Sequence, residues 1–127
     1  MVFIMSAAHY IDTFVIPIPR DKVEDYRDIA TSAVPIWKQH GALDYRECIG
    51  DDLEVERQVT FPQLVGTEAG ETVIFATIVD ASKEARDSAN ETIMADPRVA
   101  ELCESAQGII DFGRMTSGGF RTLVHLS

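Results

Sequence analysis

Two carboxylates stand at positions where the sequence predicts buried strand faces, and they are the first candidates for chemistry. Asp12 alternates in phase with aromatic and aliphatic residues of an apolar run, and Glu47 lies in the same way between Tyr45 and Ile49. Burial disfavours the charged form of a carboxyl group, which suits a general base. We therefore predict Asp12 as a catalytic base and Glu47 as a ligand-binding residue. The alternative for Asp12 is a structural carboxylate satisfied by backbone donors, by a hydroxyl or by an arginine across a dimer.

Three ring-bearing residues cluster where the first predicted helix meets the second predicted strand. Trp37, His40 and Tyr45 could together wall a pocket for a flat organic molecule, and His40 could act there as a proton shuttle. We predict Trp37 and Tyr45 as ligand-binding residues and His40 as a second catalytic residue. The helix dipole also favours an exposed histidine cap at a helix C-terminus, and this alternative for His40 stays open.

Arg114 is a further candidate, because its guanidinium could hold an anionic substrate by a forked contact; the alternative is a structural ion pair in a loop. Metal ions and cofactors are not expected. The chain has three histidines without an H-x-x-x-H spacing, and Cys48 and Cys103 lie far apart in sequence. Neither a zinc site nor a disulfide framework is therefore indicated. We expect two buried thiols in a reducing cytosol.

The elements that must position these residues follow from hydrophobic periodicity and from turn residues. Asp21 resembles a helix cap, Pro35 should bend the last turn of the first helix, and Gly41 should close it. Ser82 is a second expected cap, and Asp96 with Pro97 should end one helix and start another. The predicted strands are Tyr10–Ile18, Leu43–Ile49, a short strand over Val55–Thr60, Thr72–Val79 and Phe120–Leu126.

The order of these elements is β-α-β-β-α-β, which predicts an α+β fold of the ferredoxin-like plait type with both helices on one face of the sheet. The 127 residues fit one domain, over 1–127. In such a plait the first and second strands flank the third, so Asp12 and Glu47 should lie roughly 10 Å apart and form no dyad within one subunit.

The sheet face without helices is apolar as well, since Val73, Phe75 and Val79 alternate with Ile74, Ala76 and Ile78 in one strand. Something must cover that face. A second copy of the chain is the simplest occupant, because most soluble oligomers are two-fold homodimers. We therefore predict a homodimer through the open sheet face.

The chain is acidic, with 21 acidic and 11 basic residues and a formal net charge of -10. This charge repels phosphate backbones and anionic membranes, so neither nucleic acid nor a membrane is expected as a partner. The opening Met1–Met5 is apolar but too short to span a bilayer, and no basic residue precedes it. We expect a cytoplasmic protein whose partners are itself and a small molecule.

Several segments together resemble the YbaA-like family, a group of unknown function with a dimeric α/β-barrel fold. The match runs from about Tyr10 to the C-terminus. One departure lies near the end, where Gly113 and Ser117 stand in place of an expected Lys and Tyr. The segments that carry the resemblance are Tyr10–Pro19, Trp37–Leu43, Glu47–Asp51, Phe61–Pro62, Met94–Arg98, Arg114–Met115 and Gly118–Phe120.

The resemblance implies a cytoplasmic dimer and leaves the activity open. Two functions remain. The first is a small binding or interaction protein, which the absence of any nucleophile-base pair favours. The second is a cofactor-independent oxygenase or isomerase that acts on a small aromatic or carbonyl substrate with Asp12 or His40 as base. The latter rests on fold analogy.

Overall fold

Four antiparallel strands form the sheet of the structure, a computed structural model that describes residues 9–126. The order across the sheet is β2-β3-β1-β4. Three of the five predicted strands, Tyr10–Ile18, Leu43–Ile49 and Thr72–Val79, are confirmed to within one residue at each end, and β3 lies between β1 and β2 as the plait requires. The bounds are β1 Tyr10–Pro19, β2 Asp44–Ile49, β3 Glu71–Asp80 and β4 Thr116–Arg121.

Four α-helices accompany the sheet within the described part of the chain, three of them as expected. They are α1 Val23–Gln39, α2 Phe61–Val65, α3 Lys83–Met94 and α4 Pro97–Ser105, with short 3-10 turns at 20–22 and 112–114. None of these helices combines the length and the apolar character needed to cross a bilayer. The ferredoxin-like α+β fold is thus confirmed.

Local side-chain chemistry explains the helix ends. Ser82 accepts a hydrogen bond from the Ala85 amide, and Asp96 accepts one from the Arg98 amide, so both predicted caps form. Gly41 follows α1 with a φ of +107°, a conformation that favours glycine at a helix end. The cap expected at Asp21 does not form, because a 3-10 turn over 20–22 leads the chain into α1 instead.

Two predicted strands are wrong. The segment 55–60 is not a strand, and it leads into α2, whose capping box joins Thr60 and Gln63. The last strand begins at Thr116 and ends at Arg121, so the predicted end at Leu126 lies beyond it. Gly118 and Gly119, which precede the predicted strand, lie within β4; a Cβ at Gly119 would clash with the Tyr10 ring on β1.

The two faces of the sheet are covered unequally. On one face Ile16, Ile18 and Ile74 pack against Tyr26 and Ala30 of α1, forming the main core, and α3 and α4 lie on the same side. On the other face Val65 of α2 and Leu53 cover only Val15 and Val73. The rest of that face, which we call the open face, presents residues of all four strands. These are Ile11, Thr13, Phe75, Thr77, Val79, Gly118 and Phe120, together with Asp44, Arg46 and Cys48 of β2.

Both cysteines are free and exposed, so the prediction of buried thiols is wrong. Cys48 lies on β2, an edge strand, opposite Phe75. Its side chain therefore belongs to the open face, which no helix covers at that edge. Cys103 lies on α4, with the adjacent Leu102 packing inward in its place.

Candidate functional site

An apolar cavity of about 200 Å³ lies between the sheet and the helices α1 and α4. Its floor is the helix-facing side of the sheet, where alternation in β1 and β3 places apolar side chains in register. Its roof comes from the apolar stripes of the two helices. The main apolar residues of the lining are Phe14, Ile78, Ile29, Ala33, Val99 and Leu102.

Glu47 is the one carboxylate among the residues that line this cavity, and two phenols hold it. The Tyr26 hydroxyl donates to Glu47 Oε1 at 2.7 Å, and the Tyr45 hydroxyl donates to Oε2 at 2.8 Å. Strand alternation places Tyr45 and Glu47 on the same side of β2, and α1 brings Tyr26 over them. A carboxylate in apolar surroundings is costly without such donors.

Burial raises the pKa of both phenols, and the charge of Glu47 and its hydrogen bonds raise it further. Tyr26 and Tyr45 therefore remain protonated donors at any physiological pH. The cluster of Tyr26, Glu47 and Tyr45 leaves lone pairs on both carboxylate oxygens for a further donor. A ligand with a hydroxyl or N–H group could supply one.

Replacing Tyr26 by phenylalanine should lower the free energy of unfolding by about 1 to 2 kcal/mol, since it removes a donor from a buried carboxylate and leaves the ring packing intact. Urea denaturation followed by tryptophan fluorescence measures the effect. Thr31→Val is the matched control, because its exposed hydroxyl donates only to the Arg27 carbonyl of the same helix. Equal stabilities of Tyr26→Phe and the parent would contradict the role assigned to this hydrogen bond.

A second, more polar cavity of about 190 Å³ lies beside the first, between the sheet and α3. Asp12 and Asp80 project into it from neighbouring strands, and Arg86 and Asn90 line it from α3. Arg86 Nη1 lies 3.4 Å from Asp12 Oδ1, and the guanidinium stacks over the Tyr10 ring at 4.6 Å. The two cavities share Phe14, Trp37 and Ile78 as a common wall.

Both carboxyl groups of the polar cavity are perturbed. Burial raises the pKa of Asp12, an effect that the Arg86 charge opposes and the Asp87 charge reinforces. Burial also raises the pKa of Asp80, and the nearby Asp12 charge adds to this effect. The prediction that Asp12 sits on a buried face is confirmed, since it is 9% exposed.

Trp37 is the central aromatic residue of the site. Its ring meets the Tyr45 ring edge to face, with centroids 5.9 Å apart, and it lines both cavities. Trp37 is also the single tryptophan of the chain. Its fluorescence therefore reports on both cavities.

His40 lies outside both cavities. Its Nε2 is 3.0 Å from Asp96 Oδ2, and its Nδ1 is 2.8 Å from Thr92 Oγ1. Hydrogen bonds from Arg98 and His40 hold the pKa of Asp96 well below its usual range. The imidazole thus ties the end of α1 to the α3–α4 junction, which is a structural contact. Of the three residues predicted to wall one pocket, Trp37 and Tyr45 are in contact, whereas His40 lies outside both cavities.

Arg114 also lies away from both cavities. Its guanidinium makes a forked contact with Glu71, at 2.8 Å and 2.7 Å, and donates to the Gly66 carbonyl. This is the structural alternative considered from the sequence, with Glu71 as partner. Arg114 lines a shallow groove beside Pro19 and Phe112, and the guanidinium that would bind an anion there is already engaged.

The Glu71–Arg114 pair predicts a pH dependence of stability. The hydrogen bond from Arg114 lowers the pKa of Glu71 from 4.5 to about 2. Because the folded-state pKa lies below the unfolded one, the pair's contribution is full above pH 4.5 and is lost as the pH falls toward 2. Glu71→Gln should show a smaller drop in melting temperature over that range than the parent. An identical drop in both proteins would refute this assignment.

Sequence patterns indicated some of these residues and missed others. Asp12 and Glu47 line separate cavities with β3 between their strands, as the plait predicts. The role of Tyr26 as a donor to Glu47 was not predicted. Asp80 and Arg86 were missed, although alternation from Ile78 places Asp80 on the helix-facing side. Ser117, which stands where the resemblance leads us to expect a tyrosine, lines the polar cavity.

Solved structures with a similar fold differ widely from this chain in sequence. A nipsnap family protein with unknown function from Agrobacterium tumefaciens has a TM-score of 0.63 at 12% identity, covering 91% of this chain and 88% of that protein. A mutant of SnoaB, a cofactor-independent oxygenase from Streptomyces nogalater, has a TM-score of 0.59 at 13% identity, covering 94% and 97%. Such low identities show a shared fold alone.

Sequence relatives are more similar. The Uncharacterized protein YbaA of Escherichia coli strain K12 is 40% identical over 115 residues, which cover 91% of this chain and 97% of YbaA. The family model described as Protein of unknown function (DUF1428) matches residues 9–110. With a family match over most of its length and a relative of this similarity, the chain belongs to the DUF1428 family.

Proposed function

We propose that the protein binds a small, mainly apolar ring compound in the apolar cavity, with Glu47 as the polar anchor. The observation that carries this proposal is the Tyr26–Glu47–Tyr45 cluster in an otherwise apolar lining. Ligand sites are commonly built in this way, from apolar walls with a few placed polar groups. A purely structural core would have no need of a carboxylate at this position.

The size of the cavity indicates the class of ligand. An apolar cavity of about 150 Å³ can hold benzene, so about 200 Å³ has room for one substituted ring. The carboxylate accepts hydrogen bonds and donates none. A ring that carries a hydroxyl or N–H group should therefore bind better than the same ring without it.

Titration with p-cresol and with toluene, followed by Trp37 fluorescence, tests the proposal. We expect saturable changes with both compounds and tighter binding of p-cresol. Ala33→Leu places a larger side chain in the cavity and should abolish binding of both. Ala100→Leu is the matched control, because Ala100 is exposed on α4. Circular dichroism establishes that both variants are folded, and unchanged binding in Ala33→Leu would overturn the proposal.

A second candidate function is cofactor-independent oxygenase or isomerase chemistry; SnoaB, which has a similar fold, is a cofactor-independent oxygenase. The observation that favours it is Asp12, a carboxyl of raised pKa at a cavity that shares a wall with the apolar one. Asp12 would take a proton from an activated aromatic or carbonyl substrate. Oxygen uptake with a panel of hydroxylated aromatics tests this function, and Asp12→Asn should abolish uptake while leaving ring binding intact.

We propose a homodimer in which the open face of one copy covers that of the other. The side chains of β1, β3 and β4 on this face are uncharged, and the edge strand β2 adds one charge of each sign, Asp44 and Arg46, whereas the whole chain carries -10. Two copies of such an acidic chain repel each other least where their surfaces carry no net charge. Phe75 and Phe120 supply exposed apolar surface there, at 37% and 59% exposure.

The proposal also includes the location of the protein in the cell. We propose a cytoplasmic protein, since exposed free thiols such as Cys48 and Cys103 suit a reducing compartment. The charge of -10 makes nucleic acid and anionic membranes unfavourable partners.

A further inference from the structure

We propose that the polar cavity between the sheet and α3 is a second ligand site, which binds a small molecule through an ammonium group. Asp80 and Asp12 would accept hydrogen bonds from that group. The site lies on the other side of Trp37 from the apolar cavity and is argued from different side chains. It therefore does not depend on the ring-binding function proposed above.

The first argument is hydrogen-bond satisfaction. Asp80 is 4% exposed and lines the cavity, yet no group among residues 9–126 donates a hydrogen bond to its carboxylate. Asp12 also accepts no hydrogen bond among these residues, but it forms an ion pair with Arg86, whose Nη1 lies 3.4 Å from Asp12 Oδ1. Buried carboxylates in folded proteins almost always have donors. Asp80 is the exception at this cavity, and because its oxygens are not fully enclosed, a bound group can reach them and supply the donors.

The second argument is charge. Asp12 and Asp80 face a single guanidinium, that of Arg86, and Asp87 adds a further carboxylate 3.2 Å from Arg86 Nε. The cavity therefore has an excess of negative charge, which an anionic ligand would increase and a cationic ligand would offset. Burial raises the pKa of both aspartates, and the single charge of Arg86 opposes this rise without cancelling it.

The third argument concerns the kind of cation. Within residues 9–126 no three potential metal-ligating side chains come together, whereas divalent metals require several such ligands. An ammonium group carries three donors and matches two carboxylates. Trp37, Phe14 and Ile93 provide apolar walls in the same cavity, so the ammonium should be attached to a short hydrocarbon or aryl body.

The test uses benzylamine, with benzyl alcohol as its uncharged counterpart, added to protein labelled with nitrogen-15. Benzylamine should shift the backbone amides of Gly118 and Gly119 and the side-chain amide of Asn90, which line the polar cavity. Asp80→Asn should weaken benzylamine binding about tenfold, the effect of losing one charge-assisted hydrogen bond. Benzyl alcohol binding should be unchanged by this substitution.

Two further variants make the result decisive. Asp12→Asn should weaken benzylamine in the same way, and Glu84→Gln, an exposed acid on α3, should have no effect. Equal benzylamine affinity in Asp80→Asn and the parent would overturn the proposal. So would shifts confined to the amides of Leu102 and Ala106, because these residues line the apolar cavity. That second outcome would leave the ring-binding function intact.

Discussion

Replacing Phe75 by aspartate is expected to convert the protein from a dimer to a monomer at micromolar concentration. Phe75 lies in the central strand β3 on the open face and packs edge to face on Phe61. A two-fold interface through this face would place two aspartates in a desolvated apolar contact. Burying unpaired charges costs several kcal/mol per ion, enough to separate the two copies.

Sedimentation velocity of Phe75→Asp and of the control Met94→Asp measures this result. Met94 is 74% exposed at the end of α3, on the helix side of the sheet, so its replacement should leave the dimer intact. The free thiols give a local readout. Cys48, opposite Phe75, should react faster with a thiol reagent in the Phe75→Asp monomer, and Cys103 should react at an unchanged rate. A parent protein that sediments as a monomer would contradict the dimer.

Replacing Arg86 by methionine is expected to lower the free energy of unfolding by about 3 kcal/mol at neutral pH, the usual cost of leaving a buried charge without its partner. Arg86 is the cation nearest to Asp12 and also contacts Asp87 and the Tyr10 ring. Its removal leaves Asp12 and Asp80 facing each other across the polar cavity. Methionine retains most of the side-chain volume.

This destabilisation should depend on pH with a definite sign. Burial raises the folded-state pKa of Asp12 and Asp80 above the ordinary 3.8, and Arg86 opposes the rise. Without Arg86 both values rise further. Because the folded state then binds protons more tightly than the unfolded state, the penalty is absent below pH 3.8 and grows as the pH rises through the folded-state values. The difference between variant and parent should therefore be larger at pH 7 than at about pH 4.

Urea denaturation at the two pH values measures the effect. Adding Asp12→Asn and Asp80→Asn to the Arg86→Met variant should restore most of the lost stability at neutral pH. Arg27→Met is the matched control, because the Arg27–Glu24 pair is exposed at 67% and 77% and should contribute below about 1 kcal/mol. Equal stability of Arg86→Met and Arg27→Met would contradict the role of Arg86 as the cation that offsets the buried carboxylates of the polar cavity.

Local pattern predicted most of the fold, and it failed at β4, where contacts with another strand decide the structure. Alternation and apolar runs placed β1, β2 and β3, and polar caps placed α3 and α4, because these signals depend on residues within one element. The strand β4 was misplaced because Gly118 and Gly119 are weak strand formers. Glycine is needed at position 119 because the Tyr10 ring occupies the space that a side chain there would need. Tyr10 lies on β1, so the sequence of β4 by itself does not reveal this need.

For the candidate site as well, the sequence predicted the positions of several residues but not their contacts. Alternation placed Asp12 and Glu47 on buried faces, and spacing brought Trp37 and Tyr45 together at the α1–β2 junction. The sequence pattern did not predict the hydrogen-bond and ion-pair partners of these residues. Whether His40 would face the cavity or Asp96 depended on how α1 meets the α3–α4 junction, 56 residues along the chain.

The residue pattern alone therefore determined the fold class, the strand order of a plait and the placement of two carboxylates, Asp12 and Glu47, on the helix-covered face of the sheet, since each follows from periodicities of a few residues. Only the tertiary structure decided that Glu47 is held by two phenols and that Asp12 pairs with Arg86 in a cavity that Asp80 also lines. Those differences arise from contacts between elements distant in sequence. A side chain from α1, Tyr26, donates to Glu47, and one from α3, Arg86, pairs with Asp12.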